Sequence, residues 1–479
     1  MPERKNDIKP VIGLEIHVEL LTETKAFCSC PASFGGEPNT NTCPVCRGEP
    51  GALPVLNRHA VELAVMAGLA LGCSIHEISA FDRKNYYYPD LPKGYQITQY
   101  FHPVCTGGAV PITLPDGRQK KIGLERIHIE EDAGKLTHRG DETLVDYNRA
   151  GVPLIEIVSL PEIESAEEAK AYVESIRRIL SFIGVSDCKM NEGSMRADVN
   201  VSVVVDGDHG ERSEIKNVNS INYIGKAVEY EIKRQSEMLL SGERPRRETR
   251  RYNEDKSTTE HIRYKEETVD YRYFPEPNIP QIRLTGEDID RIRGNMRIMP
   301  EEAERYIEEK FGFSEYAARR LTSSYEIYEY FLEAAGMSEY PNHTANLIIG
   351  EIITKTEKPR EYLAPSKTAA ISDMFGRYEI TSVSAKKLVS ICSATGESPV
   401  SVAEKEKMMM LTDPDTLKNM VEEAVKESPK SIEDYIKGKD TALKQIMGVV
   451  MRKSGGRAEP RKTMAILEEY AKKLRNGAK

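Results

Sequence analysis

Apolar residues recur at every second position near the start of the chain, in VIGLEIHVEL. Ile12, Leu14, Ile16, Val18 and Leu20 fall on one side of an extended backbone, and Glu15, His17 and Glu19 fall on the other. The same period runs through SMRADVNVSV, where Ala197, Val199, Val201 and Val203 oppose Arg196, Asp198, Asn200 and Ser202. Strands that alternate in this way suit a mostly antiparallel sheet with one open face, better than a parallel sheet buried on both sides. Helical spacing interrupts the strands at 57–71, 165–182 and 222–240, so residues 1–297 read as one strand-rich mixed α/β domain. Beyond Ile298 the period changes to that of helices, with segments at 300–310, 315–335 and 344–356. We expect a helical domain over 298–405 and a small all-α tail over 406–479. The tail opens on a helix start at Asp413-Pro414 and is broken at Gly455-Gly456. The fold class expected is therefore α+β.

A length of 479 residues exceeds what a single core usually serves, which agrees with several domains. No apolar run approaches the roughly 18 residues of a membrane span. The N-terminus passes from a short charged lead, MPERKNDIKP, into a strand pattern with no signal or transit segment, so a cytoplasmic protein is expected. The net charge of −9 argues against a nucleic-acid coat, yet residues 437–479 carry 12 Lys and Arg against 4 Asp and Glu. A basic end on an acidic body is the electrostatic footprint expected for a polyanion such as RNA.

The polar faces of the strands hold more acids than cations. RIHIEEDAGK adds His128, Glu130 and Glu131, and RSEIKNVNS adds Glu214 and Lys216, to Glu15, His17 and Asp198. If these strands are neighbours, their carboxylates form one floor, and a divalent cation is the natural way to neutralise it. Oxygen ligands suit magnesium, whereas His17 either supports the ligands from behind or indicates manganese or a second metal. Glu130 is in register with His128, and Glu131 joins the floor only if a bulge intervenes.

Four of the eight cysteines, Cys28, Cys30, Cys43 and Cys46, form CSC and CPVC pairs separated by twelve residues. Zinc held by all four thiolates is the expected occupant, and two disulfides are the competing reading. Such a site is structural, since the protein fills every position.

The run FDRKNYYYPDLPKGYQITQY packs cations, amides and five tyrosines around two prolines, a density that folding alone does not require. Lys84, Tyr86, Tyr88, Asp90, Lys93, Gln96 and Gln99 are its candidate binding residues. Arg149 in the NRAG turn is either a further charge partner or one half of a structural ion pair. The cluster RPRRETRR, with Arg244, Arg246, Arg247, Arg250 and Arg251, either clamps phosphates or is offset by nearby acids. No GxxxxGK[ST], GxGxxG or GxSxG motif is present, nor a free Cys/His pair suited to a glutaminase.

DRKNYYYPDLPKGYQ, VIGLEIHVEL, HIEEDAGK, LVDYNRAGVPLIEIV, MNEGSMRADVNVSV, EIKNVNS and DYRYFPEP occur in the order found in the GatB/GatE family of tRNA-dependent amidotransferase subunits, which the chain resembles along its whole length. The absence of a domain-sized insertion makes it similar to the GatB branch rather than the archaeal GatE branch. The resemblance implies a catalytic cradle, a helical domain and a YqeY-like tail that meets tRNA. It implies an ATP-dependent ligase-type enzyme that phosphorylates the side-chain carboxylate of Asp on tRNA(Asn) or Glu on tRNA(Gln) and then amidates it. Ammonia would come through a channel from a GatA-type amidase subunit, with a small GatC-type subunit bracing the pair. The metal and phosphoryl-transfer set implied is Glu15, His17, Glu130 or Glu131, Asp198 and Glu214, with magnesium expected on Glu15, His17, Glu131, Asp198 and Glu214. The tyrosine-rich run, with Arg149, would take the aminoacyl end. The competing expectations are a zinc-stabilised tRNA-binding subunit without catalysis and a stand-alone metallohydrolase.

Overall fold

The computed structural model describes residues 7–264 and 270–477. The charged lead over residues 1–6, on which the reading of the N-terminus rests, lies outside them. The chain divides into two compact units, Met1–Pro300 and Glu301–Lys479. No helix among the described residues is long and apolar enough to cross a membrane.

The first unit is built on an eleven-stranded mixed sheet. Its principal strands are β1 (Ile8–Glu19), β4 (Gln119–Glu131), β5 (Pro153–Ser159), β6 (Met195–Val205), β7 (Ser213–Val218), β8 (Glu248–Asn253) and β9 (Thr258–Tyr264). Between β1 and β4 in the chain lie β2 (Asp82–Asn85) and β3 (Tyr95–Thr98), which form a separate small sheet with β10 (Phe274–Pro275). Across the large sheet the order is β9-β8-β7-β6-β1-β5-β4. Neighbours along this path are antiparallel except β7 and β8, which are parallel. The alternation expected from the sequence holds through the centre, and it has a plain energetic cause. Ile12, Leu14, Ile16, Ala197, Val199, Ile127, Ile129, Ile155 and Ile157 are buried on one face, each large aliphatic contributing about 1.5–3 kcal/mol.

Three helices supply the other half of that core: α1 (Arg58–Ala70), α2 (Ala166–Phe182) and α3 (Ile221–Leu240). Their starts are written locally. Ser165 Oγ accepts the backbone N–H of Glu168 at 3.1 Å, and Ser220 Oγ that of Tyr223 at 3.1 Å. Each such cap is worth about 1 kcal/mol. Because the helices cover only the apolar face, the polar face of β1, β4, β5, β6 and β7 is left for chemistry.

The second unit is helical, as its sequence period indicates. The single helix expected over 315–335 is instead two, Glu315–Leu321 and Tyr325–Met337. Thr322 turns its hydroxyl back to the carbonyl of Ala318 (3.0 Å), and Ser324 caps a new helix through the N–H of Ile327 (3.2 Å). The segment expected at 344–356 begins earlier, as Pro341–Leu347, and passes into a π-helical turn at Ile348–Ile352. The last helices, from Pro414–Glu427 to Pro460–Gly477, share an apolar core of Leu417, Val421, Leu443, Ile446, Val450 and Leu467. Asp413 caps the first of them, and Gly455 and Gly456 take positive φ where the chain turns before Pro460.

Candidate active site

Register decides which side chains meet. β1 lies between β6 and β5, with Glu15 opposite Asp198, His17 opposite Glu156 and, one strand further, Asn200 opposite Glu214 and Glu156 opposite His128. Directly opposed residues in an antiparallel pair share a face. The result is two groups of potential ligands on one floor, Glu15/Asp198/Glu214 and His17/Glu130/Glu156. Within each group the donor atoms lie within 4.8 Å of one another. Two ligands on one magnesium ion are at most about 4.2 Å apart, so small side-chain rotations suffice to close either group on an ion. The first group, all carboxylate, suits magnesium; the second, with an imidazole, admits manganese as well.

The electrostatics carry the signature of crowded charge. Burial, reinforced by the charges of Glu156, Asp198 and Glu214, pushes the Glu15 carboxyl above the usual range, against a hydrogen bond of 3.1 Å from Asn200 Nδ2. The His17/Glu130/Glu156 group is better compensated. His128 Nε2 stands 3.2 Å from Glu156 and 3.7 Å from Glu130. Burial alone would lower its pKa, but these carboxylates push it up to about 9. Burial likewise opposes ionisation of Glu156, yet the charges of His128, His17 and Lys84 hold it well below the carboxylate range. Lys216, 3.3 Å from Glu214 and 3.4 Å from Asp198, is the cation beside the first group. A cavity of about 480 Å³ opens over this floor, lined by Glu15, Glu130, Glu156, His128, Lys84 and Tyr273 among others.

The hairpin of β2 and β3 brings part of the tyrosine-rich run to the cavity. Gln99 Oε1 accepts the backbone N–H groups of Ile129 (3.0 Å) and Val104 (3.1 Å), and Thr98 Oγ1 donates to Glu130 at 3.2 Å. Lys84 lines the cavity with its ammonium 5.0 Å from the centre of the Tyr271 ring, and Tyr86 meets the same ring edge-on. The other expected members lie elsewhere. Gln96 donates to the backbone carbonyl of Glu131 (2.7 Å), and Tyr88 is exposed. Asp90 accepts the N–H of Gly134 through its own carbonyl. Arg149 is held by the carbonyls of Ala133 and Gly134 (3.0 and 3.1 Å) and stands 3.4 Å from Asp132, a structural arrangement.

Glu131 requires a correction as a partner of the magnesium ligands. No bulge intervenes between it and Glu130, so the two-residue period turns it to the opposite face. There it pairs with Lys93 (2.5 Å) and accepts the N–H of Ile97 (2.8 Å). Lys93 is thereby also drawn away from the floor. Conversely, the sequence pattern does not single out Glu156, although a lone acid inside the apolar run PLIEIV is a usable signal: a charge in a central strand needs partners. The arginine cluster is largely engaged. Arg250 is buried against Glu231 (3.0 Å) and Glu248 (2.9 Å), Arg251 pairs with Glu260 and Arg244 with Asp208.

The four cysteines meet as their spacing suggests. Cys28, Cys30, Cys43 and Cys46 are free thiols whose sulfurs all lie within 4.8 Å of one another, near the roughly 3.8 Å spacing that tetrahedral zinc–sulfur bonds impose. Cys46 is held well below the thiol range by the Cys28 hydrogen bond, the N–H of Cys43 and the nearby Lys25 charge, against burial. Four sulfurs gathered at this spacing are a donor set that could hold a metal ion.

Comparison with known proteins places these features. Residues 10–290 match the model of the GatB/GatE catalytic domain, and residues 329–470 match the GatB domain model. The chain is similar to the GatB subunit of the aspartyl/glutamyl-tRNA(Asn/Gln) amidotransferase of Thermoanaerobacter pseudethanolicus, with 47% identity over 97% of this chain and 99% of the relative. The corresponding amidotransferase subunits of Ruminiclostridium cellulolyticum (44%, 98% of each chain) and Carboxydothermus hydrogenoformans (42%, 98% of this chain and all of the relative) are similar over the same extent.

Proposed function

The chain belongs to the GatB/GatE family of amidotransferase subunits, and from that premise we propose that it activates and amidates the side-chain carboxylate of Asp or Glu carried by tRNA(Asn) or tRNA(Gln). The observation that carries this reading is the pair of acidic ligand groups on one sheet face, with Lys216 beside the first group and a cavity over Glu15, Glu130 and Glu156 that also presents Lys84. A carboxylate resists ammonia because its oxygens are poor leaving groups. Phosphorylation by ATP makes one of them good, and ammonia then displaces phosphate.

The chain's own residues hold the parts in place. Glu15, Asp198 and Glu214 on one side, and His17, Glu130 and Glu156 on the other, would hold magnesium. When bound, magnesium neutralises charge developing on the transferred phosphoryl group. Asn200 orients Glu15, and His128, which lines the same cavity, fixes Glu130 and Glu156. Burial works against the charge of Lys84, but Glu130, Tyr273 and Glu156 keep it cationic. It thus places a positive charge where the substrate carboxylate or a phosphate oxygen arrives. The four-cysteine loop would hold zinc and thereby fix the 28–46 segment.

The basic segment 437–479 supports assigning residues 406–479 to tRNA, and 1–297 to the chemistry, with 298–405 between them. An RNA-binding role alone leaves the floor unexplained, since carboxylates repel a polyanion. A glutaminase-type partner supplying ammonia, a small bracing subunit and a cytoplasmic setting complete the proposal. The test is ATP hydrolysis by the assembled enzyme in the presence of mischarged tRNA and magnesium. Glu15→Gln and Asp198→Asn each remove it while leaving the fold and tRNA binding intact; hydrolysis that persists in both variants overturns the assignment.

A further inference from the structure

The core positions of β4 are Ile122, Leu124, Ile127 and Ile129, so the two-residue period is broken once, between Leu124 and Ile127. The pairing with β5 shifts at the same place: Val158 is opposite Arg126, but Ser159 is opposite Leu124. This is a β-bulge with Glu125 as the extra residue, a device that re-aims side chains. Its consequence is that Glu125 and Arg126, neighbours in sequence, both line the cavity.

Arg126 is the unusual one. Its side chain is three-quarters buried, its guanidinium stands 5.7 Å from the centre of the Tyr100 ring, and Tyr100 is itself stacked on Tyr273 at 4.0 Å. Among the described residues it makes no hydrogen bond. Its carboxylate neighbour, Glu125, is 3.7 Å away and more than half exposed, and its Nε is buried with no partner. A planar fork of five donors beside an aromatic pair, with a distant ion pair and no hydrogen bond, is costly unless an oxyanion completes it. Gln99 adds an independent sign. Fully buried and lining the same cavity, it has its carbonyl fixed by two backbone N–H groups, so its amide cannot flip, and its Nε2 has no partner.

We propose that Arg126, presented by the β4 bulge beside the Tyr100–Tyr273 stack, anchors the phosphate chain of the nucleotide in the cavity, in the cross-strand row of Val158 and Glu15. The inference rests on the nucleotide reading given above. Along β4 the polar face runs Glu130, His128, Arg126, with about 7 Å between successive same-face residues. The anchor therefore lies one step beyond His128 and two strands across from Glu15, where a cation can take phosphate oxygens whose charge the carboxylates alone would repel. The terminal guanidinium nitrogens bind oxygens, and the Gln99 amide holds the adjoining wall.

The probe is Mg·ADP, which carries phosphate but no substrate carboxylate, titrated calorimetrically into the assembled enzyme containing the full chain. Arg126→Gln weakens Mg·ADP binding roughly ten-fold or more, the factor carried by a charge-assisted hydrogen bond, and Arg126→Lys recovers part of it. Binding of uncharged tRNA is unchanged, and the nucleotide-free Tm of Arg126→Gln is not lowered, because no hydrogen bond is lost. Wild-type affinity for Mg·ADP in Arg126→Gln, in an enzyme whose unaltered form binds it, overturns the anchor alone. A loss of tRNA binding instead of nucleotide binding, or a lowered nucleotide-free Tm that accounts for the weaker binding, also overturns it. Failure of the unaltered enzyme to bind Mg·ADP at all overturns the nucleotide reading and the anchor with it.

Discussion

Glu15 and Asp198 stand directly opposite one another on adjacent antiparallel strands, on the same face, with Glu214 one strand further within ligand distance of both. Three acids facing one another, with Lys216 beside two of them, is an arrangement of crowded like charge that folding does not favour. It stores repulsion that a divalent ion relieves.

From this follows a stability prediction. Glu15→Gln and Asp198→Asn remove a charge from a repelling group, so the metal-free protein gains stability at neutral pH or keeps it, while activity falls about 10²–10³-fold or further. Added magnesium raises the Tm of the unaltered protein but much less that of the variants. Thermal unfolding with and without magnesium measures both effects; equal magnesium shifts in all three proteins contradict the assignment.

Glu130 and Glu131 are neighbours in sequence with opposite roles in space. Glu130→Gln weakens metal binding in the His17 group with little cost to the fold. Glu131→Gln leaves Lys93 buried without its charge partner and costs on the order of 3 kcal/mol, with metal affinity unchanged. Denaturant unfolding and metal titration of the pair separate the two; reduced metal affinity in Glu131→Gln at full stability contradicts the placement.

How far the floor is legible before folding depends on what the alternation can carry. Glu15, His17, Glu130, Asp198 and Glu214 follow from a strict two-residue period with apolar residues between them, and that period holds wherever a strand has a single helix-covered face. Glu156 escapes such a reading because its strand is central and nearly all apolar, so its neighbours give no polar face to follow. Lys93, Gln96 and Arg149 have the residue types of a binding loop, but each is spent on the backbone or on a neighbouring acid. The β4 bulge at Glu125 leaves one local sign, the break in apolar spacing between Leu124 and Ile127, but the pairing shift with β5 that sets it is not local. In the second unit, Thr322 and Ser324 are the signs that the 315–335 segment is two helices, since hydroxyl residues compete for backbone groups.

Glu231, buried midway along α3, accepts from Arg234 (2.8 Å), Gln235 (3.0 Å) and Thr259, and pairs with Arg250 (3.0 Å). Burial opposes its ionisation, but the Arg234 hydrogen bond and charge hold its carboxyl below the ordinary value. A depressed folded-state pKa contributes stability that is present above the ordinary glutamate range and is lost as pH falls through the depressed value. Glu231→Gln therefore lowers stability at pH 7 by on the order of 3 kcal/mol and flattens the acid side of the stability profile. Denaturant unfolding from pH 7 downward measures this; a parallel loss in both proteins contradicts it.

A chelator, or Cys43→Ser, loosens the 28–46 segment while the sheet core persists. Amide hydrogen exchange reads the loop and metal analysis reads the ion. Reduced, freshly purified protein with no zinc, and a loop no less protected in Cys43→Ser, contradicts a structural metal.

Truncation before residue 406 weakens tRNA binding and lowers the steepness of its salt dependence, because 12 Lys and Arg over 437–479 are removed. Unchanged affinity and salt slope after truncation contradict the tail's role.

The chemical step on which the site turns is phosphorylation by ATP of the side-chain carboxylate of an amino acid still esterified to tRNA. Its most direct test uses Asp-tRNA(Asn) or Glu-tRNA(Gln) labelled with ¹⁸O in the side-chain carboxylate, incubated with the assembled enzyme, ATP, magnesium and an ammonia source. Each amidation transfers one labelled oxygen into inorganic phosphate, and Glu15→Gln abolishes the transfer. Amidation that releases only unlabelled phosphate contradicts it.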